Sequence, residues 1–268
     1  MKNYSKYAVC ALLASAPLVV SCSDDDEPKL PSREIVKVDI YKSDSENDLF
    51  QKTAQYQFGY DERNRVKDVR TEYKSQKVTY NYGTNKMEYT WTGSDPAIGG
   101  TFVTRFEATM RSGRVHVGSV DYEAGSETDA IYNYSYHYSG SGYLSDATFG
   151  SSQSFSYEWG NSSMVITSRP SKYDAEYLYS KVANDYSFDL NVLPLLVDSR
   201  TNVLMELNAY AQLAGALGAR YPKFLEDKDY AYDYLFDADG RLVQIVQEPA
   251  SMIPTKQETY WFMIHYGE

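Results

Sequence analysis

Few side chains in this sequence are placed to react. The three histidines, His116, His137 and His265, lie far apart, each inside a stretch of alternating polar and apolar residues. A zinc site wants ligands at tight spacing with others nearby, so the three read as ordinary strand residues and no metal or cofactor is assigned. The sequence holds no Gly-x-Ser-x-Gly motif, phosphate-cradling glycine loop or candidate nucleophilic cysteine. Acids abound, and two carboxylates flanking a cleft would serve a glycosidase. Most of them, however, fall in turns or on polar faces, where Asp and Glu are expected anyway. Asp237 and Asp239 share one turn and could meet calcium, but they lack the further spaced oxygens of a dedicated loop, and turn formation explains them better. Aromatic rings offer more, because they stack on sugar faces and apolar groups. Trp91, Trp159 and Trp261 sit at or near the ends of alternating runs and are the candidate ligand-binding residues.

The elements that must position them are strands. From Glu34 onward the dominant period is two, the mark of strands with one buried face. Ile35–Tyr41 opens the pattern; Tyr56, Phe58 and Tyr60 continue it, then Val78, Tyr80 and Tyr82. Phe102, Phe106, Ala108 and Met110 share a face, as do Tyr132, Tyr134, Tyr136 and Tyr138. Phe155, Tyr157 and Trp159 follow, then Tyr232, Tyr234 and Phe236, and finally Tyr260, Phe262, Ile264 and Tyr266. Turn residues such as Asp61–Asn64, Ser112-Gly113, Gly140–Gly142 and Asp237–Gly240 punctuate the runs, and connections this short join antiparallel neighbours. The expectation is an all-β fold: an antiparallel up-and-down meander of about a dozen strands, curling into a barrel-like sheet. One segment differs. Leu204, Leu207, Ala211, Ala214 and Leu217 fall at helical spacing, with Gly218 to end the run, which predicts one helix near 201–218, a plug or lid over one end of the sheet.

The N-terminus reads as an address. Lys2 and Lys6 precede an apolar stretch from Tyr7 to Val20, too short for a transmembrane helix. It ends in Val19-Val20-Ser21-Cys22, which resembles a lipobox. The resemblance implies a signal peptide over residues 1–21 and a diacylglycerol on Cys22, with acyl chains that hold the protein to a membrane. Ser23, Asp24, Asp25, Asp26 and Glu27 follow, and this acidic run resembles the export signal of Bacteroidetes surface lipoproteins. It opens a tether over 22–33, disordered by its charge, Ser and Pro, ahead of a single β-meander domain over 34–268.

Composition narrows the partners. The net charge is −11, and removal of Lys2 and Lys6 with the signal peptide takes it to −13. Such acidity argues against nucleic acid, whose phosphates demand clustered Lys and Arg. With only Cys10 and Cys22, the mature domain has no disulfide, so stability must come from a core in which the tyrosines, 27 in the full sequence and all but Tyr4 and Tyr7 in the mature part, are the main resource.

The meander also repeats. Val78–Met87 matches Phe155–Met164 in residue character, and a strand–turn–Arg–apolar pattern recurs as Gly59–Val66 and Leu235–Leu242, with weaker copies at Met110–Val115 and Tyr138–Leu144. These hairpins resemble tyrosine–aspartate repeats of large secreted bacterial proteins. They resemble more closely a Bacteroidetes outer-membrane lipoprotein family of unknown function with a porin-like fold. That resemblance implies a fold and no chemistry. The functional expectation is a cell-surface, non-catalytic lipoprotein of the outer membrane, binding glycan or peptide. An envelope component acting through protein contacts is the alternative, and a glycoside hydrolase the remote one.

Overall fold

Among the described residues sixteen strands, every pairing antiparallel, make one sheet. The computed structural model describes residues 34–44, 50–71, 75–81, 83–95, 100–112, 114–124, 127–150, 153–193, 212, 215, 217–250 and 258–267, without the side chains at 44, 75–77, 89–95, 100–106, 117–124, 127–132 and 172. Cys22, the run Ser23–Glu27 and most of the helix read over 201–218 therefore lie outside the described residues.

β1 (Ile35–Asp44), β2 (Gln51–Tyr60), β3 (Val66–Thr71), β4 (Ser75–Asn81), β5 (Lys86–Asp95), β6 (Gly100–Arg111) and β7 (Arg114–Ala124) pair in sequence order. The series continues through β8 (Glu127–Tyr138), β9 (Leu144–Phe149), β10 (Gln153–Trp159), β11 (Ser163–Arg169), β12 (Ala175–Ala183) and β13 (Lys223–Asp227). β14 (Tyr230–Phe236), β15 (Leu242–Pro249) and β16 (Glu258–Tyr266) form a second run, and β16 pairs with β1. The order is thus circular but for one gap between β13 and β14, which leaves the sheet unclosed. Only Lys228 and Asp229 separate these two edge strands in sequence. Across the gap, the Asp227 N–H donates to Tyr232 Oη (3.3 Å) and Tyr234 Oη donates to Glu226 Oε1 (3.0 Å).

One hairpin design recurs. Tyr60 opposes Val66, Met110 opposes Val115, Tyr138 opposes Leu144 and Phe236 opposes Leu242, and one step inward the register shifts by a residue in each case. A β-bulge puts two residues opposite one, so the next buried position comes three residues on: Val66 and Val69, Leu144 and Ala147, Leu242 and Ile245. That spacing hides these strands from a search for strict alternation, which is one reason the sheet holds sixteen strands rather than about a dozen. A backbone of positive φ turns each corner: Asn64, Ser112, Gly142 and Gly240. Asp61 and Asp237 lock two of the corners alike. Asp61 Oδ1 accepts the N–H groups of Arg63 and Arg65 (both 2.9 Å), and Oδ2 accepts Arg65 Nε (2.8 Å). Asp237 accepts from Asp239, from the Arg241 backbone and from Arg241 Nε in the same pattern. Its carboxylate, and that of Asp239 on Arg241 Nη2 (3.3 Å), bond within the turn.

An aromatic residue at the end of the following strand caps the carbonyl at the bulge. Tyr138 Oη donates to Val115 O (2.6 Å), Trp159 Nε1 to Leu144 O (2.7 Å) and Tyr266 Oη to Leu242 O (2.8 Å). A buried carbonyl left out of the ladder needs such a partner. β16 and β1 reproduce the same unit although the chain does not connect them. Tyr266 opposes Ile35, the register shifts beside Ile35, Gly267 N–H donates to Glu34 O (2.9 Å), and Tyr60 Oη caps Ile35 O (2.5 Å). Burial pushes that Tyr60 hydroxyl up to about 12.

The core fills the concave face. Val38, Ile40, Val78, Met87, Ala108, Tyr134, Tyr136, Phe262 and Ile264 are buried where the alternation puts them. Phe236, grouped in the sequence with Tyr232 and Tyr234, is instead 43 % exposed at the turn end of edge strand β14. Many described outward positions carry charge, as at Lys37, Asp39 and Glu107, beside a few outward aromatics such as Tyr41 and Trp261, while the apolar core lines the inside. This inverts the pattern of a barrel that crosses a membrane around a water-filled lumen. The interior also takes in chain from after β12. Tyr186, Phe188, Leu190, Val192 and Leu193 are all buried, and Phe188 packs on Phe58 with ring centroids 4.4 Å apart. This inserted stretch lies upstream of the segment from which a plug was expected.

Candidate functional site

The inner faces of β9–β12 do not pack to completion. Between them and Gln212, Gly215 and Leu217–Tyr221 lies a cavity of about 150 Å³. Alternation on β10 points Phe155, Tyr157 and Trp159 into it, while Ser156 and Glu158 face out. Phe149, Met164, Ile166 and Tyr177 complete the apolar wall, with Tyr173 from the 3-10 turn Ser171–Tyr173.

Trp159 is held firmly. Its indole N–H is spent on Leu144 O, Tyr143 stacks beside it (4.9 Å between centroids, 26° between planes), and Tyr221 adds a second ring at 5.7 Å and 20°. Tyr179 lies on Tyr221 in turn, at 4.0 Å. Tyr221 is brought there by the 217–221 stretch, anchored where Ala219 N–H donates to Gly142 O (2.7 Å). Gly218 has φ +93°, and a Cβ on it would come within 2.5 Å of Gly142 O, so glycine is required at this crossing.

Asp189, 8 % exposed, supplies the polar end. Its Oδ1 accepts Asn184 Nδ2 (2.6 Å) and Asn191 N–H (3.0 Å), and its Oδ2 accepts Gln212 Nε2 (2.9 Å). Asn191 in turn bonds β13, accepting Leu225 N–H (2.8 Å) and donating to Lys223 O (3.3 Å). Tyr157 also borders the cavity. Burial raises its hydroxyl pKa well above the usual phenol value, so it stays neutral. The described lining thus combines one carboxylate, amides, several phenols and the Arg220 guanidinium with aromatic walls. Asp189 is the one acid among the described lining residues, where a two-carboxylate hydrolysis uses a pair.

The structure does not gather the three tryptophans into one site. Trp159 lines the cavity. Trp261 faces outward on β16, edge-on to Phe50 at 5.0 Å, and Phe50 stacks on Tyr41 at 4.6 Å. Trp91 lies on β5, opposite Gln76 and Thr104, and its side chain is outside the described residues. The histidines are likewise apart. His116 meets the Tyr138 ring, His137 is exposed, and His265 Nε2 lies 2.9 Å from Asp39 Oδ2. Asp39 faces outward yet is buried beneath Lys37 (3.1 Å) and Lys52 (2.7 Å). Burial pushes its pKa up, but hydrogen bonds and charge from the two lysines outweigh that and hold it below the ordinary value. Asp189, Asn191, Gln212 and Tyr221 escaped sequence reasoning. The available signal was polar residues interrupting the apolar run Phe188–Leu193.

Compared with protein-family models and with curated proteins, the sequence matches none. Solved structures do match. A porin-like protein from Bacteroides uniformis ATCC 8492 superposes with a TM-score of 0.54 at 13 % identity, over 89 % of this chain and 100 % of that one. A porin-like protein from Bacteroides vulgatus ATCC 8482 gives 0.51 at 11 %, over 87 % and 98 %. At such identity the likeness is one of fold, and this chain has the porin-like β fold of these Bacteroides proteins.

Proposed function

We propose that this protein is a non-catalytic binding lipoprotein of the outer membrane, anchored through Cys22, displayed at the cell surface by its acidic leader, and taking up a glycan or peptide. The observation that carries the reading is the cavity walled by Phe155, Tyr157 and Trp159. It is concave, mostly apolar and furnished with a few polar groups, as small-molecule sites are. A screen of the protein over glycan and peptide arrays tests it. The expected result is a saturable hit that Trp159→Ala abolishes and Trp261→Ala leaves intact. No binding better than millimolar on either array overturns it. Radiolabelled palmitate should enter the protein and fail to enter Cys22→Ala, and extracellular protease should reach it on intact cells.

A second reading, an assembly component of the envelope, draws support from Leu178, Leu235 and Phe236. These side chains are 46 %, 56 % and 43 % exposed, the first on β12 and the other two on edge strand β14. Crosslinking in cells should then recover a stoichiometric membrane partner, whereas free monomer alone counts against it.

A further inference from the structure

The polar groups lining the cavity are unevenly matched. Asp189 carries a carboxylate with room for about four donors and receives three, all neutral. Among the described residues no cationic side chain pairs with it. Gln212 donates to Asp189, and among the described residues its side-chain carbonyl accepts nothing. The Tyr157 hydroxyl makes no hydrogen bond among the described residues. Beside the buried carboxylate, the spare lone pairs of Asp189 and the Gln212 carbonyl accept, and the Tyr157 hydroxyl can accept or donate. Arg220 also borders the cavity, but it is exposed and donates through Nη1 to the Tyr186 carbonyl.

The ligand that answers this pattern brings donors and positive charge. A cavity near 150 Å³ with apolar walls takes a body the size of one benzene ring. An ammonium presents three donors and no acceptor, and aromatic faces attract a cation. A neutral sugar brings no charge to set against the buried Asp189 carboxylate. We propose that the cavity is a receptor for a ring-sized apolar primary amine. The ring lies against Trp159 and Phe155, the ammonium meets Asp189 Oδ2, and the Gln212 carbonyl and Tyr157 hydroxyl are the acceptors for its remaining N–H groups. This rests on the cavity being a binding site, as proposed above, and of the ligands named there it sides with the peptide, whose amino groups are of this class, against the glycan.

Calorimetric titration of the full chain with 2-phenylethylamine, 2-phenylethanol, 3-phenylpropionate and methyl glucoside at pH 7 tests it. The amine should bind about tenfold more tightly than the alcohol, and the carboxylate more weakly than both. Asp189→Asn should erase the amine's advantage while alcohol binding persists. Because Asp189 also organises its neighbours, Tyr157→Phe is the second variant. It removes a hydroxyl with no internal partner, so the melting temperature should hold while the advantage of the amine shrinks severalfold. Equal binding of amine and alcohol, preference for the carboxylate, or binding of the glucoside alone overturns the amine assignment and leaves the cavity a binding site. Failure of all four compounds at millimolar concentration overturns both.

Discussion

At the scale of single residues, Asp61 shows how much structure one carboxylate can organise. Side-chain hydrogen bonds from Arg65 outweigh burial and, with the backbone N–H groups of Arg65 and Arg63, hold its pKa at about 2 rather than the ordinary 3.8. A depressed carboxylate pKa means stability that is present above the unfolded value and lost as pH falls through the folded one. Asp61→Asn should therefore unfold at lower denaturant concentration than wild type at pH 6. The gap should close between pH 4 and pH 2 as the native carboxylate takes its proton. Denaturant titrations at the two ends of that range provide the check, and a gap independent of pH would refute the assignment. Trp159 makes a different point at the same scale. It was singled out because it ends an alternating run, and the structure gives the physical reason for its place there: the indole N–H caps a bulge carbonyl while the ring faces the cavity.

At the scale of elements, Phe188 is the residue on which the inserted stretch turns. It is 1 % exposed and packs on Phe58. Phe188→Ala should cost about 3–5 kcal/mol, the range for a buried Phe truncation, measured as a shift in denaturation midpoint. Gly218→Ala should cost about 1–3 kcal/mol of backbone strain and weaken whatever the cavity binds, because the 217–221 crossing carries Tyr221. Much at this scale was legible in advance. Period-two runs placed Tyr56, Tyr80, Tyr134 and Phe262 in the core because a pleated strand leaves no other choice once one face is buried. The bulged strands were harder to see, since Val66 and Val69 lie three apart and mimic no strand template. The polar end of the cavity was illegible for another reason. Asp189, Gln212 and Trp159 come from separate stretches of chain, and only the tertiary path brings them to one wall.

The whole molecule is organised around a ring of strands with one gap. Edge strands offer unpaired amides to solvent or to another chain. Hydrogen exchange should accordingly be fastest, among the strands, at β13 and β14 and slower at β1 and β16, even though those two lie at opposite ends of the sequence. Uniform protection around the ring would mean that the gap is paired in solution. The interior explains why the porin-like fold need not mean a pore: the space a channel would occupy holds Phe188, Leu190 and Leu193.

The unit formed by β16 and β1 is a hairpin whose turn has been cut. Gly267 stands where Asp237 stands in the intact copy, and Glu34 where Arg241 stands. Pairings this distant in sequence raise contact order and slow folding. His265 reaches Asp39 across 226 positions. Most ladders join neighbours and can zip locally, so this one contact sets the tempo: β1 must wait, one edge bare, until β16 arrives. A circular permutant that links Gly267 to Glu34 through Ala-Asp-Gly and opens at Lys228-Asp229 turns that wait into a local turn closure, and it should reach the same fold faster.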